Sequence, residues 1–148
     1  MDDVDIEFVL APVDGSEAAD EAVEYAVAVA KQYDANLHLL YVLGEGIARG
    51  LETGDISPET VAKEHQAFTK RVRKKLGPTV GLSHSSAAGF SPRRLTQTPG
   101  SVILDSAEEL DADFIVIPRE SPGNDPNEVL GKAALYVLEY ASQPVLSI

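Results

Sequence analysis

Five short apolar runs, each separated from the next by a longer stretch with helical signals, leave this chain few architectures to choose from. The runs cover residues 6–13 (IEFVLAPV), 36–43 (NLHLLYVL), 79–88 (TVGLSHSSAA), 114–117 (FIVI) and 144–148 (PVLSI). Apolar, β-branched runs of this length read as strands, and a run without polar alternation, such as FIVI, reads as a strand covered on both faces. Between them lie helix starts and stops. Ser16 caps a helix whose first turns carry Glu17, Asp20 and Glu21 and whose inner face is Ala22, Val23, Ala26, Val27 and Ala30. Ser57 with Pro58 opens a second helix that Gly77-Pro78 stops. Thr98-Pro99 starts a short helix over 101–110, and a capping box at Asp125, Pro126, Asn127 and Glu128 starts one that runs to about Ser142. Segments 44–57 and 89–98 show no clear period and read as loops. The order β-α-β-α-β-α-β-α-β predicts an α/β fold, a single five-stranded parallel sheet with helices on both faces and right-handed crossovers, in one domain over 1–148. Ligands of such sheets bind beyond the carboxyl ends of the strands, here residues 12–15, 42–44 and 117–132.

Charge narrows the partners. The chain has 12 Lys and Arg against 24 Asp and Glu, a formal charge of −12, which repels nucleic-acid phosphate and anionic lipid. No nucleic-acid or membrane partner is therefore expected, and no apolar run approaches the roughly 20 residues of a membrane helix. The acidic N-terminus does not read as a signal peptide, so a cytoplasmic location is expected. With no Cys, there are no disulfides, thiolate nucleophiles or cysteine metal ligands. Five of the 12 basic residues, Lys70, Arg71, Arg73, Lys74 and Lys75, crowd the end of the second helix, where the dipole favours cations. The rest of the chain is therefore more acidic still than the overall balance suggests.

Familiar chemistry is poorly represented. Gly131-Lys132 is followed by Ala133 and preceded at the P-loop position by Pro126, so it is no phosphate loop. Ser83-His84-Ser85 has no nucleophile elbow, and neighbours on a strand point to opposite faces. His38, His65 and His84 lie in separate elements without metal-ligand spacing, and Asp105, Glu108, Glu109, Asp111 and Asp113 form an acidic run without a calcium-loop pattern. No metal site is expected. Arg93-Arg94 is left over, to pair with carboxylates or to bind an anion.

The segments FVLAPVDGSEAADEAVEYAVAVA, NLHLLYVL, DADFIVIP and LGKAALYVLEYASQPVLSI, in this order and spacing, resemble the universal stress protein family. The resemblance implies a Rossmann-like fold of the adenine nucleotide alpha hydrolase type, pairing into dimers through the last strand, and membership of either an ATP-binding or a non-binding group. The binding group carries Gly-x-x-Gly, a spacer, then Gly-Ser or Gly-Thr after the fourth strand. Laid on this chain, that pattern falls after Ile117 on Pro118, Ser121, Gly131 and Lys132, so one of three glycines survives. Pro118 offers no amide donor, and Glu120 adds a negative charge. The base and ribose side is better kept: Pro12, Val13 and Asp14 match the end of the family's first strand and Val42 the second-strand position beside the base.

Together these imply a cytoplasmic homodimer without enzymatic activity, binding or regulatory in a stress response, with no cofactor and without ATP in the family's usual mode. The alternative is an adenine-nucleotide protein that takes ATP with Mg, with Lys132 and Arg119 in place of the glycines and at most slow hydrolysis. A different small anionic ligand is a third option. Val145, Leu146, Ser147 and Ile148 form an apolar edge that pairing would cover, and are the expected dimer interface. The scattered acidity is expected to reflect life in strong salt.

Overall fold

The computed structural model describes residues 4–89, 97–119 and 129–148. The strands are β1 (Phe8–Val13), β2 (Asn36–Leu43), β3 (Leu82–Ala88), β4 (Phe114–Ile117) and β5 (Val145–Ser147), and the helices α1 (Glu17–Tyr33), α2 (Glu45–Thr53), α3 (Pro58–Leu76), α4 (Pro99–Glu109) and α5 (Ala134–Tyr140). All strand pairs are parallel and the sheet order is β3-β2-β1-β4-β5.

The caps form as their residues dictate. Ser16 Oγ accepts from Ala19 N at 3.1 Å, Ser57 Oγ from Glu59 N at 3.2 Å, and Thr98 with Ser101 closes a reciprocal capping box. Alternate strand residues then divide between two cores. Val9, Ala11, Val13, Leu37, Leu39 and Tyr41 pack under α1 and α3, whereas Leu10, Leu40, Val42, Ile115 and Ile117 pack under α4 and α5.

Several expectations change. Residues 44–57 are not all loop: α2 forms there, with Gly44 as N-cap and Gly54 closing it at φ +87°, and Gly50 leaves room for the Ile56 side chain. The third strand starts at Leu82, three residues late, because Gly81 lies against Asn36 and β2 pairing begins only at Leu37↔Leu82. The last helix is short: a 3-10 turn at Leu130–Lys132 precedes α5, which stops at Tyr140, while the capping box at 125–128 lies outside the described residues. Gly131-Lys132 therefore sits in a tight turn before a helix rather than inside one.

The basic cluster of α3 splits into separate jobs. Arg73 donates to the carbonyls of Gly77 and Val80 and so closes the turn into β3, Lys75 pairs with Glu24 of α1 at 2.6 Å, and the Arg71 guanidinium lies 5.3 Å from the centre of the Phe68 ring.

Where α4 meets α5, Gly100 is set by close approach. A Cβ there would fall 2.6 Å from Tyr136 Cδ1 and 2.9 Å from the less movable Tyr136 Cβ. Gly100→Ala is expected to destabilise by about 1–2 kcal/mol, overpacking outweighing the better helix propensity of alanine, as read from urea midpoints.

His38 is buried between strands, with Nδ1 2.7 Å from Ser83 Oγ and Nε2 2.8 Å from Ser85 Oγ. One ring nitrogen donates and the other accepts, which suits the neutral imidazole. Burial, aided by His84, holds its pKa below the ordinary 6.5. The unfolded chain then binds more protons than the folded one as pH falls through 6.5, so stability is lost on acidification and the loss levels off below the folded pKa. The urea midpoint is expected to fall between about pH 7.5 and about pH 5.5, with a shallower slope in His38→Gln.

Candidate functional site

The sheet opens where β1 and β4 part. Their ladder covers only Val9↔Phe114 and Leu10↔Ile115, while β1 stays paired with β2 through Val13↔Tyr41. Pro12, which has no N–H to give a ladder, falls beyond the β4 pairing, and the chain leaves the sheet at Asp14-Gly15 with Gly15 at φ +84°. This is the switch point, where neighbouring connections run to opposite sides.

Asp14 is the pivot of the opening. Its Oδ1 accepts from Ser16 N at 3.0 Å and Ser16 Oγ at 2.6 Å, and its Oδ2 accepts from Leu130 N at 3.1 Å. One carboxylate thus ties the end of β1, the cap of α1 and the turn carrying Gly131. Cavities lie on both sides of it. The one towards β4, about 370 Å³, is bounded by Ser16, Glu17, Pro118, Arg119 and Gly131. The one towards β2, about 200 Å³, is bounded by Val13, Val42, Ile47 of α2, and His65, Phe68 and Arg71 of α3.

The residues expected at the site therefore divide. Val13, Asp14 and Val42 border the β2-side cavity, and Asp14, Pro118 and Gly131 the β4-side one. Pro12 and Ile117 are packed within the sheet, Lys132 is exposed, and Ser121 with Arg93 and Arg94 lies outside the described residues. The Val42 side chain belongs to the core under α4 and α5.

Sequence reasoning missed the wall supplied by α3. The three-residue spacing of His65, Phe68 and Arg71 places them on one helical stripe, a signal present in the sequence, but His65 was weighed only as a metal ligand, Arg71 only as part of the basic cluster, and Phe68 not at all. Tyr41 donates its hydroxyl to the His65 carbonyl at 3.0 Å and shares a 2.7 Å hydrogen bond with Thr69 Oγ1. Burial pushes the Tyr41 phenol up and the His65 imidazole down, Glu64 opposing the latter. Asp20, on α1 at the same cavity, is also pushed up by burial against the pull of Arg71.

Elsewhere, Ser83 and Ser85 serve His38, and His84 meets Tyr41 edge-on at 6.1 Å from the opposite face, so the Ser-His-Ser run forms no catalytic array. Within the acidic run, Asp113 Oδ2 accepts from Glu7 N at 2.9 Å and Phe8 N at 3.0 Å, a structural duty. Among the described residues no group of three or more His, Asp or Glu is placed to hold a metal, and no helix is long and apolar enough to cross a membrane.

Sheet order and crevice define a doubly wound α/β protein with an open crevice at the strand switch point, the place where sheets of this kind take their ligands. The sequence profile of the universal stress protein family matches residues 6–148, and the chain belongs to that family. It is 27% identical over 143 residues to a universal stress protein of Methanocaldococcus jannaschii, covering 95% of this chain and 80% of that one. The fold is similar to that of universal stress protein UspA from Lactobacillus plantarum, with a TM-score of 0.69, 24% identity and 99% of each chain covered. It is also similar to the universal stress protein from Archaeoglobus fulgidus in complex with dAMP, with a TM-score of 0.58, 23% identity and 97% of each chain covered.

Proposed function

We propose that this chain is a non-enzymatic binding protein of the stress response, acting in the cytoplasm as a homodimer, whose crevice holds an adenine nucleotide by its base and ribose and not by a glycine phosphate cradle. The observation that carries this is the border of the β4-side cavity, where buried Pro118 stands in the place of the cradle's first glycine and has no N–H to offer a phosphate. Opposite it, the Leu130 amide is already given to Asp14. The β2-side cavity keeps an apolar and aromatic lining with carboxylates at Asp14 and Asp20, suited to a base and to ribose hydroxyls. The relative that carries dAMP supports an adenine nucleotide with one phosphate. Arg119, which borders the β4-side cavity together with Asp14 and Glu17, is the counter-charge this reading assigns to a single phosphate.

Calorimetry with AMP and with ATP-Mg²⁺ tests the reading. AMP is expected to bind and ATP-Mg²⁺ to bind no tighter; a preference for ATP-Mg²⁺ of about tenfold or more would overturn it. The dimer is supported by β5, a half-buried apolar edge strand, and by the neighbouring Leu135, Leu138 and Tyr140 of α5, which are 61%, 47% and 60% exposed, unusual for side chains of this size. Sedimentation at micromolar concentration is expected to give a dimer, and a monomer there would remove this part of the reading.

A further inference from the structure

The β2-side cavity has one wall that does not come from the strand ends. His65 of α3 lies parallel on Tyr41 of β2, ring centroids 3.8 Å apart and planes 13° from each other. The pair cannot slide, because the Tyr41 hydroxyl is held at two points one helical turn apart, the His65 carbonyl and Thr69 Oγ1. At one edge of the imidazole, Nδ1 lies 3.4 Å from Ser86 Oγ on β3, a long hydrogen bond. Tyr41 covers one face of half-buried His65 and Ser86 lies at one edge, which leaves the second face and the remaining edge of the imidazole to border the cavity.

We propose that His65 is a specificity-determining residue of the crevice, the platform on which a bound ligand stacks a planar heteroaromatic ring such as a purine. This rests on the nucleotide reading above and adds to it the side chain that selects a flat base over a non-aromatic sugar phosphate. Three features support it. The cavity is about 200 Å³, below the roughly 300–1,000 Å³ that encloses a whole drug-sized ligand, so it suits one ring system with sugar and phosphate left towards Asp14 and the β4 side. Val13 and Ile47 supply apolar surface for the ring, and Asp14 and Asp20 supply acceptors for its polar edge or for hydroxyls. A tilted or mobile imidazole would have to be ordered on binding, whereas this one already lies stacked on Tyr41, which lowers that cost.

The test uses AMP, adenosine and ribose 5-phosphate as probes on the full chain. His65→Ala is expected to weaken AMP and adenosine by roughly 5- to 150-fold, the range of base stacking on a side chain. His65→Phe, which keeps a flat ring, should restore most of that affinity, and His84→Ala, at a ring that meets Tyr41 edge-on and does not line the cavity, should change it little. Ribose 5-phosphate should bind weakly to wild type and equally to all variants. In wild-type protein the His65 ring-proton resonances should move upfield on adding AMP, a signature that needs no substitution and that a purely structural histidine would not give. If wild type binds AMP while those resonances stay put and His65→Ala binds as well as wild type, the role of His65 is refuted and the nucleotide reading stands. If neither AMP nor adenosine binds wild type at millimolar concentration, both fall.

Discussion

Asp14→Ala is expected to lower the unfolding free energy by about 3 kcal/mol, the largest effect of any single polar substitution around the crevice. The carboxylate makes three hydrogen bonds, and the substitution removes all of them. Leu130 is fully buried, and with Oδ2 gone its N–H loses its acceptor, a loss of about 1–3 kcal/mol. Ser16 loses two hydrogen bonds at 3.0 and 2.6 Å, and with them the orientation that lets its hydroxyl cap α1, worth about 1 kcal/mol more. Asp14→Asn keeps the shape and one acceptor oxygen, and should fall between wild type and Asp14→Ala. Urea unfolding of the three proteins measures this, and a loss under about 1 kcal/mol in Asp14→Ala would show that the tie between β1 and the Gly131 turn is not structural. The same variant should lose AMP binding, since the two cavities meet at this residue.

The melting temperature is expected to rise by about 4–8 °C between roughly 0.1 M and 2 M KCl, a gain on the order of 2 kcal/mol for a chain of this size. Twenty-four acids face 12 bases, and the ion pairs found among the described residues, Arg49 with Glu45 and Lys75 with Glu24, are both solvent-exposed. Such pairs contribute little, so screening them removes little. The remaining carboxylates, including Glu17, Asp20 and Glu21 along one side of α1, repel one another, and the Debye length shrinks from about 10 Å at 0.1 M to about 3 Å at 1 M. Net repulsion is thus the larger quantity being screened. We read the acidity as fitting the chain to strong salt; a melting temperature that stays flat or falls over that range would contradict this.

What the sequence disclosed and what it hid follow from how local each signal is. Ser16, Ser57 and Thr98 act on amides within three residues, so their caps were legible, and each helix begins where its cap requires. Residues 114–117 declared a buried strand because it is covered on both faces. By contrast α2 contains Gly46 and Gly50 between glycine caps, and its intrinsic propensity is poor; it forms because Gly50 lets Ile56 pack against it, a contact that no periodicity announces. The crevice was half legible. Asp14 and Pro118 stand at strand ends and could be placed from strand order alone, but the aromatic wall joins β2 to a helix starting fifteen residues after that strand, and only packing brings Tyr41 and His65 together.

The pairing of β1 with β4 has a consequence for how the chain is made. β1 is the central strand, yet one of its two neighbours starts at Phe114, and the Asp113 bonds to Glu7 and Phe8 span 106 and 105 residues. During synthesis the first half can assemble β1, β2 and β3 with α1 and α3 on one side, while the other edge of β1 waits for most of the polypeptide to emerge. Over that interval Leu10, which ends up under α4 and α5, has no cover. The nascent chain therefore carries its central strand as an open edge until residues 114–117 arrive, and closure of the ladder between Val9, Leu10, Phe114 and Ile115 is a long-range step of the kind that slows folding.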